Sequence, residues 1–209
     1  MVLKFNNTAV NDVYFNRNVG YTVVGSPTIS DGVVSGFSAN DYLTLGGSFS
    51  TGSPFEVCLR LRFPSAPNTK YVVAAAGFYI YLSDTKRISI QFQQTGSTWV
   101  YAGTNANLEL NTWYFIKFIY DGTSISCKYS LNGIDWIDGT SNPITPVVRN
   151  IAPNIGYRSS NNPFGGEIDI ANSFIKQSGV TLFNGKETAS PAVNTLKYNG
   201  TTVWTRPAE

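Results

Sequence analysis

The clearest hydrophobic pattern in the chain lies between residues 111 and 136. Trp113, Phe115, Lys117 and Ile119 alternate with Tyr114, Ile116, Phe118 and Tyr120, a period of two that predicts a strand. Both sets are largely apolar, so this strand is expected to be covered on both faces. Asp121-Gly122 then turns the chain, because glycine accepts the positive φ that tight hairpins demand. Residues 123–129 place Ile125, Cys127 and Tyr129 on one side and Ser124, Ser126 and Lys128 on the other. Asn132-Gly133 signals a second hairpin, which predicts a third strand at residues 134–136.

Elsewhere the strongest stripe is Phe55, Val57, Leu59, Leu61 and Phe63. It predicts one buried face and an opposite face, with Glu56, Arg60 and Arg62, that is wet or paired. Short extended runs are expected at 21–24, 28–30, 33–37, 41–45, 71–76, 78–82, 88–92, 99–101, 154–157 and 164–170. Another passes through Phe174 and Ile175, and a long loop with Pro143 and Pro146 follows Trp136. So many short strands between turn residues predict an all-β, two-sheet antiparallel sandwich.

Composition agrees with this pattern and narrows the function. Nineteen Gly and ten Pro among 209 residues, with 14% aromatics, favour strands and turns and leave almost no room for helix. Fifteen basic against thirteen acidic residues give a net charge of +2, no electrostatic case for nucleic acid or an anionic membrane. No stretch approaches the ~20 apolar residues of a membrane span. MVLKFNNTAV lacks the apolar core of a secretion signal, so synthesis in a cytoplasm is expected. The absence of histidine removes the usual general base and the commonest zinc ligand.

Cys58 shares a face with Glu56 and Arg60, Cys127 with Ile125 and Tyr129. A disulfide needs both on facing surfaces, and two free thiols are the plainer alternative. Residues 3–10 (LKFNNTAV) line up with residues 196–203 (LKYNGTTV), and Val13-Tyr14-Phe15-Asn16 gives a weaker copy. Either the two ends form a small β unit beside the main body, or short hairpins simply look alike.

The order of motifs is more telling than any one of them. G-Y-x-V-x-G-S-P-x-I-x-D-G-V, starting at Gly20, is followed by F-S-x-x-D-Y-L-T-L from Phe37. Then come L-N-T-W-Y-x-I-K-F-x-Y-D-G from Leu110, Y-S-x-N-G-x-x-W from Tyr129, I-G-Y at Ile155 and F-x-G-x-I-D-I from Phe164. Residues 20–183 thus resemble the laminin-G-like branch of the concanavalin A-like lectin/glucanase jelly rolls. The resemblance implies two curved antiparallel sheets whose rim loops or concave face bind glycans. The segment LKYNGTTVW looks like pieces of bacteriophage tail and fibre proteins, and lectin-like domains of this type decorate phage virions. The Asp/Asn spacing of the legume-lectin calcium and manganese site is missing.

Glu167-Ile168-Asp169-Ile170-Ala171-Asn172 is similar to the E-I-D-I-x-E run of glucanases that share the fold. A retaining glycosidase needs two carboxyl groups ~5 Å apart, one acting as the acid. Here the last position is Asn172, whose amide neither donates that proton nor activates water, so no hydrolase is expected. Sugar stacking has candidates in Tyr79, Tyr81, Trp99, Tyr101 and Trp136, whose flat rings suit pyranose C–H groups. Arg158, Asn161 and Asn162, in a polar loop, are candidates for reading hydroxyls, or else a solvated connection. Trp113 and Phe115 are assigned to the core. Asp121 and Asp135 are weighed as calcium ligands or, more simply, as residues serving their own turns.

The reading that results has a segment at 1–19, a lectin-like jelly roll at 20–186 and a linker with hairpin at 187–209. It predicts a non-catalytic carbohydrate-recognition or adhesion module of a virion, without metal or cofactor, the alternatives being a purely structural virion protein without ligand or a glucanase-like hydrolase. Its expected partners are host-surface glycans and other virion proteins, in a homo-oligomer with a trimer favoured.

Overall fold

The computed structural model describes residues 21–45, 48–65, 69–96, 98–157, 162–184, 195–198 and 201–205. The first strands are β1 (Tyr21–Val24), β2 (Thr28–Ser30), β3 (Val33–Ser35), β4 (Tyr42–Leu45) and β5 (Phe49–Ser50). Then follow β6 (Phe55–Arg62), β7 (Lys70–Ala75), β8 (Phe78–Leu82), β9 (Ile88–Gln93) and β10 (Trp99–Gly103). The central meander is β11 (Tyr114–Tyr120), β12 (Ser124–Ser130) and β13 (Ile137–Pro143). Last come β14 (Asn150–Ile151), β15 (Asn154–Ile155), β16 (Glu167–Gln177), β17 (Val180–Asn184), β18 (Thr195–Tyr198) and β19 (Thr201–Thr205). No helix occurs among the described residues.

Two antiparallel sheets make the body. One has seven strands in the order β1-β4-β15-β7-β8-β9-β10. The other has eight, in the order β13-β12-β11-β6-β16-β3-β2, with β17 added to β16. Their inner faces bury the stripe of β6 together with Ile116 and Phe118 of β11, opposite Phe78, Ile80, Leu82, Ile88, Ile90 and Phe92. Phe55 sits at the aromatic centre, stacked on Phe92 at 5.5 Å and edge-on to Phe49 at 4.9 Å. Burying a phenyl ring here contributes about 2–3 kcal/mol in transfer free energy, and packing the rings edge-on adds to it.

Several elements differ from the sequence expectation, each for a visible reason. The third strand of the meander is β13, beginning where residues 134–136 end. Ser130 Oγ accepts from the amides of Asn132 and Gly133, and Asn132 Oδ1 accepts from those of Ile134 and Asp135. Those side chains hold residues 131–136 as a wide loop in place of a two-residue turn. Two expected strands near Glu167 and Phe174 are one, β16, with a register shift between Asp169 and Phe174. Ser173 fills that irregularity, its hydroxyl donating to Asp169 O at 2.6 Å and accepting from Arg60 N at 3.0 Å. The short pair β5–β14 and the strand β17 carry no period long enough to be read beforehand.

The covering of β11 is also one-sided. Its inward residues are buried, whereas Phe115, Lys117 and Ile119 are half-buried under long side chains of neighbouring strands. Trp113 and Phe115 therefore belong to the outward face and not to the core. Cys58 and Cys127 lie on opposite faces of the eight-stranded sheet, since Cys58 pairs with outward Lys117 and Cys127 with inward Phe118. Both thiols are free, and burial pushes each up to about 12. β18 and β19 form a separate two-stranded hairpin. Its expected counterpart near the start of the chain lies outside the described residues.

One edge of the sandwich is closed by side chains. Gly103 N donates to Thr140 Oγ1 at 2.8 Å, and Asn142 Nδ2 donates to Tyr101 O at 2.5 Å. A Cβ added at Gly139 would lie 2.3 Å from Gly103 O, so β13 approaches β10 as only glycine permits there.

Candidate functional site

The outward face of the seven-stranded sheet is assembled by strand alternation. In β8, Phe78, Ile80 and Leu82 go inward, so Tyr79 and Tyr81 go outward. In β9, Ile88, Ile90 and Phe92 go inward, so Ser89, Gln91 and Gln93 go outward. Register then pairs Tyr79 with Gln91, Gln91 with Tyr101, and Gln93 with Trp99. Tyr79 stacks on Trp99 at 5.4 Å, and Tyr71 of β7 meets the edge of Tyr79 at 5.6 Å. Gln91 Nε2 donates to the Tyr101 hydroxyl at 3.1 Å. Tyr101 is 47% exposed. Burial pushes the Tyr81 phenol above its ordinary value, against a weaker opposing bond from Ser89.

Four sequence candidates, Tyr79, Tyr81, Trp99 and Tyr101, thus share one face. Trp136 does not join them: it lies with the eight-stranded sheet, with Lys117 Nζ 4.3 Å from its ring centre. Asn162 flanks the face through its backbone, its carbonyl accepting from Tyr71 N at 3.2 Å. Arg158 and Asn161 lie outside the described residues. Sequence reading passed over Gln91 and Gln93, although the S-I-Q-F-Q alternation carries them. It also passed over Tyr71 and over Arg149, a distant loop residue whose Nη2 donates to Gln93 Oε1 at 3.0 Å.

The outward face of the eight-stranded sheet is a ladder of ion pairs. Arg60 bonds Asp169, Arg62 bonds Glu167 at 2.5 Å, Lys117 bonds Glu56 at 3.0 Å, and Lys128 bonds Asp138 at 2.6 Å. The two guanidiniums also lie over Trp113, at 4.7 and 5.0 Å. Asp169 is 4% exposed and takes further bonds from the backbone and side-chain nitrogens of Asn172, at 3.1 and 2.9 Å. Both carboxylates of the glucanase-like run are thereby engaged by neighbouring side chains. A cleft of about 340 Å³ opens beside Arg62 and Glu167, between Ser35, Asn111, Phe164 and Gly165.

Asp121 and Asp135 are both used locally. Asp121 accepts from the amides and hydroxyls of Thr123 and Ser124, all at 2.8–3.0 Å, which holds its carboxyl far below the usual range. Asp135 Oδ2 accepts from Asn132 Nδ2 at 2.7 Å. Among the described residues no group of three or more acidic or cysteine side chains is placed to hold a metal ion.

Two stacked antiparallel sheets with this motif order define a lectin-like fold. The chain belongs to the concanavalin A-like lectin/glucanase superfamily, whose laminin G-type profile matches residues 37–174. Among solved structures it is similar to domain 4 of AbnA, a GH43 extracellular arabinanase from Geobacillus stearothermophilus, in complex with arabinotriose. Identity there is 16%, over 79% of this chain and 84% of that one, with a TM-score of 0.54. The LG1–3 region of the laminin α2 chain is 14% identical, over 86% of this chain and 36% of that one, with a TM-score of 0.52. At these identities the likeness is one of fold. No curated protein sequence matches the chain.

Proposed function

We propose that the chain is a non-catalytic carbohydrate-recognition module, binding glycans across the outward face of its seven-stranded sheet. The observation that carries this reading is the convergence of Tyr71, Tyr79, Trp99 and Tyr101 with Gln91 and Gln93 on that face. Rings give flat apolar surface and amides give directional bonds, the combination a sugar requires. Four strands, β7 to β10, span about 15 Å at the usual strand spacing, room for a short oligosaccharide. The AbnA domain, solved with arabinotriose, supports the reading by carrying a sugar on the same architecture.

The non-catalytic part of the proposal is supported by the run that most resembles a glycosidase. Asp169 is buried against Arg60, Glu167 is bonded to Arg62, and Asn172 supplies an amide where an acid would be needed. The module belongs to a bacteriophage virion made in the host cytoplasm, in this reading, where it contacts host-surface glycans and other virion proteins. That part is supported by the resemblance of residues 196–204 to tail and fibre segments. Weak single sites there gain strength from several copies, a trimer being the simplest arrangement.

The test is a glycan array on the full chain, followed by titration calorimetry with Trp99→Ala and Tyr101→Ala. Binding at millimolar sugar or better, reduced by both substitutions, is the expected result. Binding insensitive to both, or cleavage of a β-glucan that Glu167→Gln abolishes, would overturn the reading. Electron microscopy of the source particle, with copy number from mass photometry, tests the virion placement and the trimer.

A further inference from the structure

Arg149 differs from the arginines of the eight-stranded sheet in what holds it. Arg60 and Arg62 are neutralised by carboxylates. Arg149 is exposed and bonded to an amide, Gln93 Oε1. Among the described residues no carboxylate lies within ion-pair distance of it. An amide orients a guanidinium without cancelling its charge, and a guanidinium has five N–H donors in a planar fork.

Its position is built. Arg149 N donates to Thr51 Oγ1 at 2.7 Å, and its carbonyl accepts from Thr51 N at 2.9 Å. Thr51 is itself buried. Two residues earlier, Val147 N donates to Gln93 O at 3.0 Å, which ties the segment to the end of β9. Gly77 leaves room for the side chain: a Cβ there would meet Arg149 Nε at 3.1 Å and Gln93 Oε1 at 3.3 Å. Gln93 N also donates to Gly77 O at 2.9 Å, so Gln93 lies between the guanidinium at Gly77 and Trp99, its register partner, whose ring the sugar-binding reading treats as a platform.

We propose that Arg149 selects glycans bearing an anionic substituent, a carboxylate or a sulfate, seated next to Trp99. The inference rests on the platform reading and adds the class of ligand. A planar fork meets either group through two parallel hydrogen bonds, and the neutral outward side chains of β8, β9 and β10 supply no competing acid.

Calorimetry on the full chain with three oligosaccharides of equal length tests it: a galacturonan, a sulfated galactan and a neutral galactan. The wild type is expected to favour at least one anionic probe over the neutral one by about tenfold in low salt. That preference should shrink as sodium chloride is added. The two anionic arms tell carboxylate from sulfate. Arg149→Gln should erase the preference and leave neutral binding unchanged, whereas Arg149→Lys, keeping charge without the fork, should retain part of it. Equal binding of charged and neutral probes, or a preference that survives Arg149→Gln, overturns this inference alone when Trp99→Ala still weakens neutral binding. Binding of none of the three overturns the platform and the anion selectivity together.

Discussion

The two outward faces of the sandwich are made by the same alternation and have opposite chemistry. On the eight-stranded sheet, cations of β6, β11 and β12 each meet a carboxylate on a neighbouring strand, and aromatic rings lie beneath the guanidiniums. On the seven-stranded sheet the rings stack on one another, the polar partners are amides and hydroxyls, and the guanidinium of Arg149 has no carboxylate partner among the described residues. A face whose arginines are held by carboxylates offers less to a ligand than one with half-exposed rings and a guanidinium held by an amide. The contrast, more than any single residue, is the reason we propose recognition on the seven-stranded sheet.

The harshest way to break the comparison is to attack the ladder. Asp169→Ala removes a buried acceptor from Arg60 and from both nitrogens of Asn172. Breaking a fully buried pair costs about 3–5 kcal/mol, and partial exposure of Arg60 lowers the expected loss to about 2 kcal/mol. Urea unfolding measures it. Glycan affinity of the folded variant should not change, because the ladder faces away from the platform. Next in size is Trp99→Ala, expected to weaken glycan binding by about tenfold with little change in unfolding midpoint. A loss of stability as large as that of Asp169→Ala would mean that Trp99 holds the fold and not a ligand. Smaller again is Thr140→Val, which leaves Gly103 N without its acceptor at the closed edge. About 1 kcal/mol should be lost, with faster hydrogen exchange at Gly103.

Much of this was legible in the chain. Strict alternation in β6, β8 and β11 gave the sandwich, because one-faced burial leaves a period of two. It also put Tyr79 and Tyr81 on one face of β8, and a motif order resembling lectin-like jelly rolls anticipated the family. What stayed hidden depends on contacts distant in sequence. Trp113 and Phe115 look like core residues, yet Arg60 and Arg62 from another strand cover them on the outside. Trp136, which the sequence offers as a platform, lies with the other sheet, with Lys117 over its ring. Arg149 has no local signal at all, since Gln93 and Thr51, which place it, are 56 and 98 residues away. The wide loop after β12 was hidden differently: Asn132-Gly133 reads as a tight turn unless one counts the amides that Ser130 and Asn132 can take.

The smallest effect sharpens the comparison at the turns of the two sheets. Asp121 caps the β11–β12 turn with four donors, and Asp41, beside β4 of the seven-stranded sheet, takes Ser26 N and Ser38 Oγ. Hydrogen bonds lower both carboxyl pKa values, Asp121 more than Asp41 because it accepts four bonds to Asp41's two. A depressed folded-state pKa gives stability that is complete above the unfolded value, near pH 4, and is lost as pH falls through the folded one. Asp121→Asn should therefore lower the melting temperature at pH 6, with the deficit closing progressively as the pH is taken below 4 towards 2. Asp41→Asn should show the same trend with a smaller deficit, complete at a higher pH. Scanning calorimetry across that range decides it. A deficit for Asp121→Asn that is constant from pH 6 to pH 2 would mean that geometry, not charge, stabilises the turn.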